Sequence, residues 1–147
     1  MIKQSTGMRV SLAVTGSLKE TLDGGFVRIY GGSAVPAGPD SALGGAVLLT
    51  EISAGGTGTP ITFEDTAPLG VLKKAIAENW TGNNIESGDP IFFRYVLSGD
   101  TGDASSTAVR FQGTAGPLGS DMFIAELPLV AGQPQAFAQF ELTFPEQ

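Results

Sequence analysis

The 147-residue chain contains no cysteine and no histidine. Without cysteine it can form no disulfide, no thiolate metal site and no thiol nucleophile. Without histidine it can form no Ser-His-Asp triad, no imidazole-ligated zinc site and no histidine pH switch. These two absences exclude large classes of catalytic and metal-binding proteins before any motif is considered.

Charged residues, and basic ones above all, are also few. They make up 16% of the chain, with 8 Lys and Arg against 15 Asp and Glu, for a net charge of −7. Binding to nucleic acid through a basic surface needs clustered Lys and Arg that displace counterions. The composition therefore predicts no nucleic-acid partner.

Long hydrophobic runs are missing as well. The longest, such as residues 46–49 and 127–131, fall far short of the roughly 18 residues that cross a bilayer. The weakly apolar N-terminal stretch is broken by Arg9 and Ser11, so it lacks the apolar core of a signal peptide. We expect a protein that is made and kept in a cytosol, with no membrane partner.

Glycine and proline, in contrast, are abundant, with 21 and 9 residues, and 41% of the chain is hydrophobic. A chain this apolar should fold, and no linker or fixed-period repeat divides it. We predict a single domain over residues 1–147. Residues 1–24 would form a short helical N-terminal segment, and residues 25–147 a β-sandwich body.

The helical signal is small and is clearest at residues 5–13 and 17–22. Ser5 or Thr6 can cap the first helix. Ser17 can cap the second, with Glu20 three residues later as in a capping box. The following pair of glycines would end that helix.

From Phe26 onward the sequence alternates between strand-like segments and Gly- or Pro-containing turns. The strand-like segments are FVRIY (26–30), AVLLTEI (46–52), ITF (61–63), IFFRYVL (91–97), AVRFQG (108–113) and MFIAELPLV (122–130). Residues 71–80 fit either a helix face formed by Leu72, Ile76 and Trp80 or a strand that ends in the turn after Trp80. The chain is therefore expected to be mainly β, with seven or eight strands in an antiparallel β-sandwich or a jelly-roll-like barrel.

The most regular pattern lies at residues 136–144. The even positions are apolar and, except for Phe137, the odd positions are polar. Period-2 alternation predicts a strand with one buried face and one that is wet or covered by a partner. The even positions are Ala136, Ala138, Phe140, Leu142 and Phe144.

Two further features call for a structural explanation. The loop at residues 31–45 is long for a segment without regular structure, which favours a role in function or contact. Arg94 and Arg110 lie within strongly apolar strands, so each must point to solvent or, if buried, pair with a carboxylate. Pairing or packing explains them better than catalysis.

For each motif that could carry chemistry, a structural role is the better explanation. The loop from Asp100 to Ser106 carries two carboxylates, but it lacks the ligand spacing of a calcium loop and reads better as a hairpin turn. The acidic pairs Glu64–Asp65 and Glu86–Asp89 do not by themselves indicate a glycosidase, because any acidic protein has many carboxylate pairs and the sequence does not show their separation in space. The glycine-rich stretches match no phosphate-binding motif. We therefore predict no catalytic, cofactor-binding or metal-binding residues, and a protein that is not an enzyme.

Several segments together resemble a set of small virion proteins of tailed bacteriophages. The segments are Thr15–Lys19, Ile29–Gly32, residues 36–44 before an apolar strand, Trp80–Gly82, Phe93–Arg94, Gly99–Gly102 and Arg110–Thr114. The resemblance implies a capsid decoration or cement protein, a class that uses compact β folds including jelly rolls. It also implies a place on the capsid exterior after assembly in the host cytoplasm.

On that interpretation the partners are the major capsid protein and further copies of this chain, in a dimer or trimer. Capsid contacts would come from residues 1–6 and from loops such as residues 31–45. We expect that residues 1–6 can be deleted without loss of the fold. No cofactor is implied.

Two alternatives remain open. One is another virion component, such as a tail, head–tail joining or fibre-base protein. The other is a glycan-binding β-sandwich, which would need aromatic residues such as Trp80 on an exposed face.

Overall fold

The computed structural model describes residues 1–143, which form a mainly β structure with two short helices near the N-terminus. The helices are α1 (Thr6–Val14) and α2 (Leu18–Leu22). The strands are β1 (Lys3–Gln4), β2 (Gly25–Gly31), β3 (Val47–Ala54), β4 (Val71–Lys73), β5 (Trp80–Asn83), β6 (Phe92–Leu97), β7 (Arg110–Gly116), β8 (Met122–Phe123), β9 (Pro134–Phe137) and β10 (Glu141–Thr143).

Eight of these strands belong to one sheet. Its order is β1-β7-β6-β2-β3-β5-β9, and β8 is a short parallel partner of β7. Every other pair in the sheet is antiparallel. Strands β4 and β10 form a separate antiparallel ribbon. The mainly β, antiparallel fold class is therefore confirmed, with ten strands in the described residues rather than the seven or eight expected.

The two helices form where their capping residues predict. Ser5 is the N-cap of α1, and its hydroxyl accepts a hydrogen bond from the backbone N–H of Met8 at 3.0 Å. Ser17 caps α2, and Glu20 completes the capping box. The chain leaves α2 through Gly24, whose φ of 93° is left-handed and favours glycine. The helical N-terminal segment is confirmed.

Alternation along the central strands creates the hydrophobic core. Val27, Ile29, Phe93, Tyr95 and Phe111 point to the same face of the sheet and are almost wholly buried. The Tyr95 and Phe111 rings stack at 4.8 Å. Burial raises the pKa of Tyr95, whose hydroxyl donates a hydrogen bond to the carbonyl of Leu22. This contact fixes the end of α2 on the core.

The connection before β10 covers the core from the opposite side. The ring centroid of Phe140 lies 5.4 Å from that of Trp80 and 6.3 Å from that of Phe111. Leu72 of β4 is buried in the same cluster, and Leu142 of β10 packs against it. The core thus lies between the large sheet on one side and the β4–β10 ribbon with the Phe140 connection on the other, an arrangement consistent with a β-sandwich.

The helix alternative for residues 71–80 is wrong. The segment contains β4 and a turn, and Trp80 begins β5 rather than ending a strand. Leu72 and Trp80 are buried, whereas Ile76 is 85% exposed, so these three side chains do not share a helix face. Leu72 lies in β4 and Trp80 in β5, and these two strands pair with different partners. Their spacing in the sequence therefore resembles a helix face only by coincidence.

The single strand expected from residue 136 onward is interrupted. Strand β9 ends at Phe137, and β10 begins at Glu141 with a different partner. The break changes which positions face inward: Phe137 packs against the core and Ala136 is exposed, while Phe140 and Leu142 face inward after the break. Phe137, the exception in the alternation, was the sign of this change. Phe144 lies outside the described residues.

Two other expected strands are shorter than their apolar composition suggests. Residues 61–63 form isolated bridges, Gly25 with Ile61 and Phe63 with Lys74, rather than a ladder. Of residues 122–130 only Met122–Phe123 form a strand. The rest of that segment passes through Pro128, which has no N–H to donate to a ladder.

Candidate functional site: a loop held on an arginine layer

The outward face of the large sheet carries three arginines on three neighbouring strands. Arg28 of β2 pairs in register with Arg94 of β6, which pairs with Gln112 of β7, two residues after Arg110. Because side chains alternate along a strand, these residues share the face opposite the core. Arg94 is 0% exposed and Arg110 2% exposed. We call Arg28, Arg94 and Arg110 the arginine layer.

The long loop at residues 32–46, here the covering loop, lies over this layer. Arg94 donates to the backbone carbonyls of Ser41 at 3.1 Å and Gly38 at 3.2 Å. Arg110 donates to the carbonyl of Pro39 at 3.1 Å. The amide of Gln112 donates to the carbonyl of Pro36 at 3.0 Å. Four carbonyls of a loop without regular secondary structure are thereby bound by buried side chains.

A buried ion pair anchors the edge of the layer. Arg110 Nε lies 2.6 Å from one carboxylate oxygen of Asp100, and its Nη2 lies 2.9 Å from the other. The two side chains are 2% and 6% exposed. The carboxylate also accepts the N–H of Gly102 at 2.8 Å, as in an Asx turn. The expectation that a buried Arg110 pairs with a carboxylate is confirmed, and so is the turn at Asp100.

Arg28 joins the same network from β2. Its Nε donates to Glu51 at 2.6 Å and its Nη1 to the carbonyl of Asp100 at 2.9 Å. Burial acts to lower the pKa of Arg28, but the hydrogen bond and charge of Glu51 outweigh burial and the pKa is raised. Arg28 is thus fixed as a cation that holds β2, β3 and the Asp100 loop together.

Arg94 is buried without a carboxylate partner among the described residues, so the expectation that it pairs with a carboxylate is wrong. Its guanidinium binds the Gln112 amide oxygen through Nε at 3.0 Å and Nη2 at 2.7 Å, and its other bonds are to the covering loop. Burial, reinforced by the charge of Arg110, lowers the pKa of Arg94. A buried cation that rests on carbonyl and amide oxygens depends on the covering loop for its solvation.

Asp40 ties the covering loop to the first helix. Its carboxylate accepts the Thr6 hydroxyl at 2.6 Å and the Thr6 N–H at 2.9 Å. Its backbone carbonyl accepts the N–H of Ser105 at 2.9 Å. The hydrogen bonds from Thr6 lower the pKa of Asp40, which burial alone would raise. The loop is therefore anchored to the sheet, to α1 and to the connection after β6.

The outer surface of the covering loop faces away from the hydrogen bonds that hold the loop. Its exposed residues include Ser33, Ala34, Val35, Ala37 and Ala42. Val35 is 47% exposed. The loop thus presents small and apolar side chains from a backbone that is fixed from beneath.

The remaining candidate residues do not assemble into a chemical site. The Asp100 carboxylate is occupied by Arg110, and Asp103 accepts the Thr101 hydroxyl at 2.7 Å. Residues 1–143 contain no group of three or more His, Cys, Asp or Glu placed to hold a metal ion. Glu64 instead accepts the N–H of Ile76, a contact that closes a turn.

Trp80, the aromatic residue named for a glycan platform, lies in the core. Trp80 is 0% exposed, and its indole N–H donates to Glu78 at 2.8 Å. The glycan-binding alternative therefore loses the aromatic residue on which it depended.

The N-terminal segment is only partly available for contact. Residues 1–4 are exposed, but Ser5 is 0% exposed. Its hydroxyl donates to the carbonyl of Ala108 at 2.8 Å and accepts the N–H of Arg110 at 2.9 Å. Deletion of residues 1–6 would remove these bonds between α1 and β7. The contacts of Ser5 therefore argue against the expectation that the deletion leaves the fold intact.

Comparison with known proteins assigns no family. No protein-family model, no curated protein and no solved structure matches the chain. Within the part of the chain that the structure describes, no helix is both long and apolar enough to span a bilayer.

Sequence reasoning singled out Arg94, Arg110 and the long loop, but not the contacts between them. It missed Asp40 and Gln112 as anchors. The alternation Arg110-Phe111-Gln112 was the available signal for Gln112, because it places the amide on the same face as the arginine. Nothing in the local sequence links Asp40 to Thr6.

Proposed function

We propose that this protein is a virion structural protein that decorates and stabilises a phage capsid by binding major capsid subunits. The covering loop would provide the principal contact surface. The observation that carries the proposal is that four carbonyls of this loop are bound by Arg94, Arg110 and Gln112. A loop ordered in this way loses little conformational entropy when it binds a partner.

The resemblance to small phage virion proteins supports the same proposal. The Phe93–Arg94 and Arg110–Thr114 segments and residues 36–44 all belong to it. These segments contribute Arg94 and Arg110, two of the three arginines of the layer, and most of the loop that they hold. Part of the resemblance thus coincides with residues that build the proposed contact surface.

A decoration protein acts by mass action. A protein that binds the assembled shell, and not its separated or ruptured subunits, stabilises the shell by RT ln(1 + c/Kd) for each binding site, where c is the concentration of the free protein. Many weak contacts suffice because the same contact repeats over a symmetric lattice. The charge-poor, small-residue surface of the covering loop suits such a repeated contact.

The direct test is the location and copy number of the protein in purified virions, by cryo-electron microscopy and quantitative mass spectrometry. A decoration protein would lie on the shell in numbers comparable to the major capsid protein. A head–tail joining protein would occur in about six or twelve copies at one vertex. Absence from the particle would overturn the virion assignment itself.

A matched pair of variants tests the contact surface. Val35→Asp places a charge on the covering loop, whereas Val130→Asp changes a similarly exposed valine elsewhere, since the two are 47% and 50% exposed. We expect Val35→Asp to reduce binding to particles at least tenfold and Val130→Asp to leave it unchanged. Equal binding by the two variants would show that the covering loop is not the contact surface.

A further inference from the structure

A groove separates the large sheet from the ribbon along one side of the molecule. In residues 1–143 no strand lies between β1, at the end of the sheet, and β10 of the ribbon. The groove has a volume of about 520 Å³ and is bordered by Gln4 of β1 and by Glu141 and Thr143 of β10. We call it the edge groove. Its apolar lining comprises Ile2, Met8, Leu18, Phe111 and Leu142.

The edge groove continues along the ribbon. A second cavity of about 370 Å³ shares Ile2 and Leu142 with it and reaches Phe123 and Phe137. The two cavities together border residues 139–143. Five extended residues span about 16 Å, at roughly 3.3 Å per residue. The groove therefore has the length of a short strand.

Strand β10 has an unpaired backbone edge beside the groove. Among the described residues it pairs with β4 alone. The backbone N–H of Lys74 donates to the carbonyl of Phe140 at 2.9 Å. Ladder bonds recur at every second residue of an antiparallel strand, so Leu142 is the next residue bonded to β4. The backbone groups of Glu141 and Thr143 therefore point away from β4, on the side of the groove that these residues line.

Strand β1 has a second unpaired edge at the same groove. In the part of the chain that the structure describes, β1 pairs only with β7. The N–H of Ser5 donates to the carbonyl of Arg110 at 2.9 Å, so the same alternation directs the backbone groups of Gln4 away from β7. Unpaired strand edges are templates for an added strand. The edge groove thus combines backbone donors and acceptors with an apolar floor, as recognition of an extended peptide requires.

The charges at the groove favour a peptide with an acidic residue at one end. Glu141 is paired with Lys73 at 3.1 Å, and Asp121 of the second cavity with the N-terminal ammonium at 2.9 Å. Arg9 lines the groove and donates to the Thr6 hydroxyl at 3.1 Å. It forms no salt bridge with a carboxylate of residues 1–143. Arg9 is therefore the charge that a bound segment can complement.

The edge groove is also continuous with the covering loop. Lys3 Nζ donates to the carbonyl of Ala37 in that loop at 2.9 Å. The next residue, Gln4, lines the groove. Because successive side chains of a strand point to opposite faces, β1 contacts the covering loop on one face and the groove on the other. A partner seated on the covering loop needs only to cross β1 to enter the groove.

We propose that the edge groove receives an extended segment of the major capsid protein, which adds a strand along β10. The backbone of the segment pairs with Glu141 and Thr143, an apolar side chain covers Phe111, and an acidic residue meets Arg9. The proposal deepens the capsid binding proposed above and rests on it. The covering loop provides one contact with the capsid protein, and the edge groove provides a second.

The first test blocks the edge of β10 with proline. Thr143→Pro removes the outward N–H and no bond to β4. Ala136→Pro is the matched control at the free edge of β9. There the N–H of Asn84 donates to the carbonyl of Gln133 at 2.9 Å, so the alternation directs the N–H of Ala136 outward. Binding is measured on purified particles assembled without the protein.

We expect Thr143→Pro to bind these particles at least tenfold more weakly than the wild type. Ala136→Pro should bind as the wild type does, and both variants should keep its thermal unfolding temperature. Equal binding by the two variants would overturn the proposal. If Thr143→Pro fails to fold, the second test decides.

The second test leaves the backbone unchanged. Because the chain has no cysteine, Gln139→Cys carries a single benzophenone label at the exposed border of the second cavity. Val130→Cys, at a position that is 50% exposed, carries the control label. The labelled proteins are bound to particles and irradiated, and the linked peptides are identified by mass spectrometry. We expect the label at 139 to link one contiguous segment of the major capsid protein that the label at 130 does not reach.

Other occupants of the groove give different results. Links from the label at 139 only to residues 144–147, or only to a second copy of the chain, would overturn the proposal and identify the occupant. A wild type that does not bind particles would remove this proposal together with the capsid proposal. Particle binding that Val35→Asp weakens and Thr143→Pro leaves intact would remove this proposal alone.

Discussion

Arg110 and Asp100 form a bidentate ion pair between β7 and the loop that precedes it, with oxygen–nitrogen distances of 2.6 and 2.9 Å. Both side chains are nearly inaccessible, at 2% and 6% exposure. Arg110 also donates to the carbonyls of Pro39 and Asp103. One guanidinium therefore joins a strand to both loops that cover the outer face of the sheet.

Replacing Asp100 with Asn should strongly destabilise the fold. The substitution keeps the shape of the side chain but leaves the Arg110 cation buried without its counter-charge, which costs about 3–5 kcal/mol. We expect the free energy of unfolding, measured in urea, to fall by that amount. Asp103→Asn is the control, because the Asp103 side chain is exposed and should change stability by less than about 0.5 kcal/mol. A small effect at Asp100 would show that the pair contributes little.

Arg94→Lys should loosen the covering loop. Lysine has three donors on one atom and cannot reach Gln112, Gly38 and Ser41 as the planar guanidinium does. We expect a loss of about 2 kcal/mol and faster amide hydrogen exchange in residues 32–46. Arg9→Lys, at an exposed helix position, keeps a cation beside Thr6 and all of the Arg94 bonds, and should change exchange in the loop much less. Unaltered exchange in Arg94→Lys would mean that the layer does not order the loop.

Local signals predicted the two helices and the four long strands β2, β3, β6 and β7 correctly. Ser5, Ser17 and Glu20 marked the helix starts because capping depends on residues within one turn. The β2, β6 and β7 strands followed from aromatic and β-branched runs. These features are decided by neighbours in sequence, so the sequence alone suffices to predict them.

The remaining features depend on contacts between distant segments. Whether Phe137 and Phe140 belong to one strand depends on the partner of each half, β5 in one case and β4 in the other. Arg94 could be assigned to a buried position only by knowing that a loop more than fifty residues earlier supplies its acceptors. The expectation that a buried charge pairs with a carboxylate failed here because the acceptors are backbone carbonyls. Every residue has a carbonyl, so no pattern of residue types shows which ones will accept.

Gly7→Ala should destabilise the protein although alanine is the better helix former. A Cβ at Gly7 would lie 2.2 Å from the carbonyl oxygen of Thr107, where the start of α1 packs against the strand-leading segment of β7. We expect a loss of about 1–3 kcal/mol from overpacking. Gly45→Ala provides the comparison, since a Cβ there meets nothing within 4 Å. Thermal unfolding of both variants measures the difference, and equal stability would show that α1 can shift without cost.

The contact between Asp40 and Thr6 should make stability depend on pH in the acid range. The hydrogen bonds from Thr6 hold the pKa of the folded Asp40 below its ordinary value of 3.8. The contribution is therefore fully present above that value and is lost as the pH falls through the lower pKa of the folded state. Asp40→Asn should lower stability by about 1–2 kcal/mol at neutral pH and flatten the acid limb of the curve.

Thermal unfolding followed by circular dichroism from about pH 6 to about pH 2 measures this difference between wild type and variant. The exposed Asp89 supplies the control, and Asp89→Asn should reproduce the wild-type curve. The difference between wild type and Asp40→Asn should narrow as the pH falls, because protonation of the wild-type carboxyl removes the same charged acceptor. A difference that stays constant down to the lowest pH would show that Asp40 contributes through packing of the covering loop rather than through its charge.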